Sequence, residues 1–430
     1  MKFKKLALAL AVSGLVLPGI ASATNGYFSH GYGMKAKGMA GAATAVTGDT
    51  FGGANNPAAM VWAGDRLDVG VDWFRPIRSS ERTGAAGLAA GLNGTSDSGS
   101  EDFLVPEFGY NKMLNDRMSL GVTVYGNGGM NTDYSNTSFT CSPAGPVNNM
   151  LCGTGNLGID LMQLVIAPTL AYKLNENHSI GVSPLIGYQR FKAEGLQGFA
   201  GFTTSGTTGN LTNQGHDSAW GYGVRVGYLG KLTDTVSIGA AYSSKIYMQE
   251  FDKYKELFAE QGGFDMPENW NLGISVKATP KLLLALDYQR INYSGVNSVG
   301  NPSTNMAPLG TSNGRGFGYD DVDVVKLGVE YGYSDKLTLR AGYSHTNNPI
   351  SSRDVTFNII APAVIQDHAT LGFSYALDKQ SEITMAYMHA FENDTNGASL
   401  YAGLGMANPG TSEKIKMYQD SLGIAYGKKF

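Results

Sequence analysis

The residues of this chain best placed to do covalent chemistry are its two cysteines, Cys141 and Cys152. They flank a short loop containing proline and asparagine, and so close a pair would, in an exported chain such as the N-terminal residues imply, form a loop disulfide rather than a metal site. Two reduced, inert thiols are the alternative. Closed, the bridge would stabilise its loop by about 2–3 kcal/mol on the loop-entropy model. Other candidates carry less. Residues 310–314, GTSNG, spell a nucleophile elbow, but in a Gly/Asn loop without the strand–turn–helix context that makes such a serine reactive. The six histidines are scattered without metal-ligand spacing. The acidic run 319–323, YDDVD, reads as solvated charge at a strand start, with a cation site as its alternative. No phosphate-binding loop is present, so neither catalytic residues, metal nor cofactor is expected.

A second kind of chemistry is electrostatic. Asp68, Asp72, Arg225, Lys277, Asp287, Lys326, Glu330 and Arg340 all fall on the polar phase of an alternating segment. Their ordinary role is to pair with one another inside a polar interior. The sharper role belongs to the basic ones, which could hold a carboxylate headgroup, an arginine doing so through two parallel hydrogen bonds.

The elements that position these charges are strands. Leu67, Val69, Val71 and Trp73 alternate with Asp68, Gly70, Asp72 and Phe74, and residues 220–228, 325–333 and 337–344 alternate in the same way. A period of two places each set on one face of a sheet. Fourteen such segments begin near Arg66, Phe103, Arg117, Ile159, Ser179, Ser218, Val236, Trp270, Leu282, Val322, Leu337, Ala369, Ser381 and Lys416. Between them, short turns such as LNDR, LTDT and YSDK alternate with long Gly/Ser/Asn/Pro-rich loops. Aromatics gather near segment ends, at Trp73, Tyr172, Tyr228, Tyr288 and Tyr375. An even strand number, short turns on one side, long loops on the other and aromatic girdles predict an all-β fold: a 14-stranded antiparallel transmembrane β-barrel.

The ends of the chain agree. Lysines precede an apolar run from Leu6 to Leu17, and Ala21-Ser22-Ala23 supplies a cleavage site, so residues 1–23 read as a signal peptide. About 400 residues remain, a size that barrels reach as one unit. The formal net charge of −4, with no basic patch, excludes nucleic acid as a partner. The chain closes on alternating Leu422, Ile424, Tyr426 and a terminal Phe430, which looks like the signal read by the barrel-assembly machinery, although Lys428 departs from it.

Residues 24–64 do not alternate. TNGYFSHGYGMKAKGMAGAATAVTGDTFGGANNPAAM resembles the N-terminal hatch of the outer-membrane long-chain fatty acid transporters, the OmpP1/FadL/TodX family, whose hatch ends on an Asn-Pro-Ala motif, here Asn56, Pro57 and Ala58. APTLAYKLNENHSIGVSP and DVVKLGVEYGYSDKLTLRAGYSH look like later parts of the same family. The resemblance implies a hatch at 24–64 plugging a barrel at 65–430 in the bacterial outer membrane. It further implies a monomer, surrounded by outer-membrane lipid, that passively transports a hydrophobic small molecule: a long-chain fatty acid, or alternatively an aromatic hydrocarbon or alkane. A general porin and a barrel lipase are the readings from other classes. Ligand contacts implied by the resemblance fall on Phe28 in the hatch, on the basic Arg190 and Lys192, and on Phe251, Leu257 and Phe258 of a loop with helical spacing at 251–264. The family's third strand bends to open a sideways gap, and Gly126, Gly128 and Gly129 are placed to supply that bend.

Overall fold

In the computed structural model, residues 25–142 and 145–430 are described, so the expected signal peptide lies outside them. Fourteen antiparallel strands close into a barrel. They are β1 (Arg66–Thr83), β2 (Phe103–Asn115), β3 (Met118–Tyr134), β4 (Leu157–Lys173), β5 (His178–Glu194), β6 (Asp217–Lys231) and β7 (Val236–Ser243). The second half comprises β8 (Asn269–Thr279), β9 (Leu282–Ile291), β10 (Val322–Gly332), β11 (Leu337–Thr346), β12 (Asp367–Ala376), β13 (Ser381–Ala398) and β14 (Ser412–Lys429). The ladder that closes the ring joins β1 to β14 from Arg66 opposite Lys429 to Thr83 opposite Ser412.

Alternation decides which face is which. On β1, Val69, Val71 and Trp73 point outward at 37–42% exposure, whereas Asp68 and Asp72 are buried. A charged residue on the outer face would cost about 2–4 kcal/mol at mid-membrane if basic, so the charges turn inward. There they meet residues 25–64, which lie inside the ring and bond to the wall. Lys37 pairs with Asp72 at 2.5 Å, the amides of Ala43 and Thr44 donate to Asp287, and Thr50 donates to Asp68 through both its amide and its hydroxyl.

The upper lumen, on the long-loop side, is different. A contiguous buried apolar cluster runs from Tyr27 and Phe28 up through Tyr293, Tyr319, Phe251, Phe258 and Phe357. Loop residues fold into the barrel mouth and fill it. This changes the expected form of segment 251–264, which is not one helix. A 3₁₀ turn at Asp252–Tyr254 is followed by Glu260 and Gln261 at φ of 58° and 61°, left-handed positions that stop a helix. The segment's apolar side chains point down onto Phe191 instead of forming an exposed ridge.

Candidate functional site

The wall is open between β2 and β3. β2 and β3 pair up to Phe108 opposite Val124 and no further, although both strands continue toward the outside. Between β3 and β4 the register shifts at Gly126/Gly128, a bulge that turns β3 inward. The edge of β3 released in this way is not bare. Gly129 donates its amide to the Tyr27 carbonyl at 3.1 Å, Ser29 donates to the Asn127 carbonyl at 3.1 Å, and Phe28 bridges Gly128. Residues 27–29 therefore pair with β3 where β2 does not. Glycine is required at position 128, since a Cβ there would meet the Tyr27 carbonyl.

The window left in the wall is framed above by residues 98–100. The Ser98 amide donates to the Arg78 carbonyl, and that of Gly99 to the Asp133 carbonyl, tying β1 to β3 across the gap. Behind the window lies a narrow, partly open pocket with a cavity volume of about 20 Å³. Phe74, Arg78, Met130, Ala361, Ala363 and Met417 line it. Its back wall is the apolar run 359–365, strapped in place by hydroxyls: Tyr134 donates to the Ile359 carbonyl at 2.8 Å, Thr132 to that of Ile360 at 2.7 Å, and Tyr319 to that of Ala361 at 3.2 Å.

An aromatic column leads to this window from within. Tyr27, Phe28, Tyr293 and Tyr319 pack with ring centroids 4.9–6.4 Å apart. The Tyr293 hydroxyl accepts from the Tyr27 amide and donates to the Asn25 carbonyl at 2.6 Å, clamping the start of the described chain. Burial pushes the phenols of Tyr27, Tyr293 and Tyr319 well above their ordinary range, so the column carries no charge. Above it, Phe357 stacks on Phe199 at 4.8 Å, and Phe199 belongs to a second, outward-facing cleft of about 370 Å³. Phe202, Leu400, Leu404, Met406 and the sulfurs' loop line this cleft. Cys141 and Cys152 are bonded there, with a Cα–Cα distance of 5.7 Å.

The other residues singled out from sequence fall into three places. Phe28 is in the column. Phe251 and Phe258 are buried around Phe191, with Leu257 half-buried beside them. Arg190 bonds His216 at 2.8 Å and lies 3.7 Å from Asp160, and Lys192 pairs with Glu194 at 2.9 Å, so both cations are already matched by acidic neighbours. At the lower end, the Asn56 side chain donates to the carbonyls of Thr44 and Tyr228 and accepts from the Ala58 amide. Pro57 starts the 3₁₀ turn Pro57–Trp62. Gly181 and Gly227, paired across β5 and β6, leave room for this motif, because a Cβ on either would strike Pro57 or Asn56.

The sequence profile of the family described as "Outer membrane protein transport protein (OMPP1/FadL/TodX)" matches residues 19–413. The chain belongs to that family. The long-chain fatty acid transport protein of Escherichia coli K12 is 21% identical, the match covering 90% of this chain and 92% of that protein. Two solved structures share the fold. The Pseudomonas putida toluene transporter TodX superposes with a TM-score of 0.67 at 20% identity, covering 93% of this chain and 99% of that one. A Pseudomonas aeruginosa FadL homologue gives 0.69 at 15% identity, covering 94% and 100%. Membership of the OMPP1/FadL/TodX family makes this an outer-membrane β-barrel transporter of hydrophobic compounds, from a family of channels rather than enzymes.

For an OMPP1/FadL/TodX barrel, two parts of the site escaped the sequence reading. Arg78 follows the inward phase of Phe74 and Pro76, and extending the alternation by four residues would have placed it in the lumen. The run 359–365, IIAPAVI, is apolar without any period in an otherwise polar loop region, and that oddity was its signal.

Proposed function

We propose that this protein takes up hydrophobic molecules, long-chain fatty acids foremost, and releases them sideways into the membrane. Cargo meets the outer cleft at Phe199 and Met406, passes down the uncharged aromatic column, and leaves through the window between β2 and β3. Residues 25–64 act as a hatch, closing the polar lower lumen to water-soluble solutes, so the general-porin reading has little support. The observation that carries this account is the end of the β2–β3 ladder at Phe108 and Val124, with the freed strand edge held by Tyr27 and Ser29. A wall that is open to the bilayer and shut only by a short N-terminal segment suits lateral release better than axial flow. Export by a cleaved signal peptide, insertion by the barrel-assembly machinery and action as a monomer belong to the same proposal.

A second reading is uptake of monoaromatic hydrocarbons. It is favoured by the aromatic, uncharged lining of the column and by the shared fold of the toluene transporter. Equilibrium binding of a labelled long-chain acid, the matched alkane and toluene to purified protein separates the two. The fatty-acid account expects the acid to bind at least about tenfold tighter than the alkane; toluene binding alone would overturn it.

A further inference from the structure

Arg78 is the one charged side chain lining the window pocket, and it is anomalous. It is 4% exposed, and its guanidinium donates to two backbone carbonyls, those of Ser100 and Asn131. Those two carbonyls belong to the two sides of the window's upper frame. Its Nε has no partner, and among the described residues Arg78 makes no ion pair. Glu101, the carboxylate whose charge it feels, is engaged by Arg75 at 2.9 Å. An unpaired buried cation is costly unless an anion completes it. Three other buried arginines of the barrel strands are paired, Arg66 with Asp68, Arg82 with Glu413 and Arg340 with Glu330, whereas Arg225, lower in the lumen, shares with Arg78 the lack of an ion pair and bonds Asn269.

The surroundings specify the missing anion. Phe74, Met130, Ala361, Ala363 and Met417 give the rest of this narrow pocket an apolar lining, which an alkyl chain would have to part to enter. The Phe103 ring, at the first residue of β2, lies 5.9 Å from the guanidinium. Trp73, on the outward side next to Phe74, donates to Asp102 at 2.9 Å and marks the outer membrane interface. Arg78 is thus at headgroup height, with an apolar slot leading sideways toward the hydrocarbon.

We propose that Arg78 binds the carboxylate of a fatty acid as it enters the window, and so makes lateral exit selective for acids over neutral hydrocarbons. This rests on the lateral-release reading above. The remaining guanidinium N–H groups receive the carboxylate, while the tail displaces into the window between β2 and β3. An anionic headgroup of the surrounding lipid has the same chemistry, and the test separates the two.

The experiment measures uptake of a radiolabelled long-chain carboxylic acid and of the alcohol of equal chain length, in cells bearing equal amounts of wild type, Arg78→Gln or Arg78→Lys. Glutamine keeps donors for the frame carbonyls without the charge. The expected result is a loss of about tenfold in acid uptake for Arg78→Gln, with the alcohol within about twofold, and substantial retention in Arg78→Lys. Equal loss of acid and alcohol would reduce Arg78 to a frame element and overturn the proposal. Acid and alcohol uptake both equal to wild type in Arg78→Gln would also overturn it, leaving a lipid headgroup as the anion that Arg78 holds. Wild type that carries neither compound beyond empty cells would sink the transport reading, and Arg78's role with it.

Discussion

The Tyr293 hydroxyl holds two backbone groups of the N-terminal segment, the Tyr27 amide at 3.1 Å and the Asn25 carbonyl at 2.6 Å. Because Tyr27 in turn accepts from Gly129, one loop side chain indirectly fixes the segment that lies over the window. Tyr293→Phe keeps the ring contacts and removes both hydrogen bonds. Each is worth about 0.5–1.5 kcal/mol net. Hydrogen exchange at residues 27–29 is therefore expected to accelerate about tenfold, with the barrel strands unaffected. Unchanged protection there would show that packing alone holds the segment.

Removing residues 24–64 is expected to leave a folded barrel that conducts small ions in planar bilayers. These residues supply no barrel strand, and β1 closes on β14 without them. Asn56→Ala is the milder form. It deprives the Thr44 and Tyr228 carbonyls of their donor and the Ala58 amide of its cap, at a cost of about 1–3 kcal/mol. Its conductance should rise in brief openings. A deletion variant as silent as the intact protein would end the hatch account.

The Cys141–Cys152 bridge forms part of the outer cleft, so its loss should be felt at capture. Replacing both cysteines with serine is expected to leave the barrel's unfolding temperature within a degree or two. The loop loses about 2–3 kcal/mol and becomes more open to protease. Cargo binding at low concentration should weaken with it. Undiminished binding would place first capture elsewhere on the rim.

The legibility of this molecule in its sequence follows the membrane. Within the hydrocarbon band one face of each strand must be apolar, so a period of two is imposed and Arg66, Phe103, Leu282, Val322, Leu337 and Ser381 could be read as strand starts. Above the outer girdle neither face is constrained. There, Ser79 to Thr83 of β1 pair with Ser412 to Lys416 of β14, residues polar except for the inward Ile415, and the apolar outward phase is lost. That is why β14 begins at Ser412 rather than near Lys416, and why Arg78, at the edge of this stretch, is reached only by extending the alternation past Phe74. The loop residues Phe251 and Phe258 were visible as apolar, but not their direction. Whether such residues face a groove or an interior depends on partners such as Phe191, distant in sequence.

Replacing Gly126, Gly128 and Gly129 together with valine tests sideways release most directly. Valine at 128 has no room beside the Tyr27 carbonyl, and β-branched residues favour an extended strand over the bulge. β3 would then continue alongside β2 and shut the window, while the outer cleft stays intact. Cargo binding to the purified variant and cargo uptake by cells displaying it in equal amount are the two readouts. The account predicts binding like wild type and uptake reduced at least about tenfold. Uptake equal to wild type, with binding retained, would contradict it and point to an axial path past the hatch.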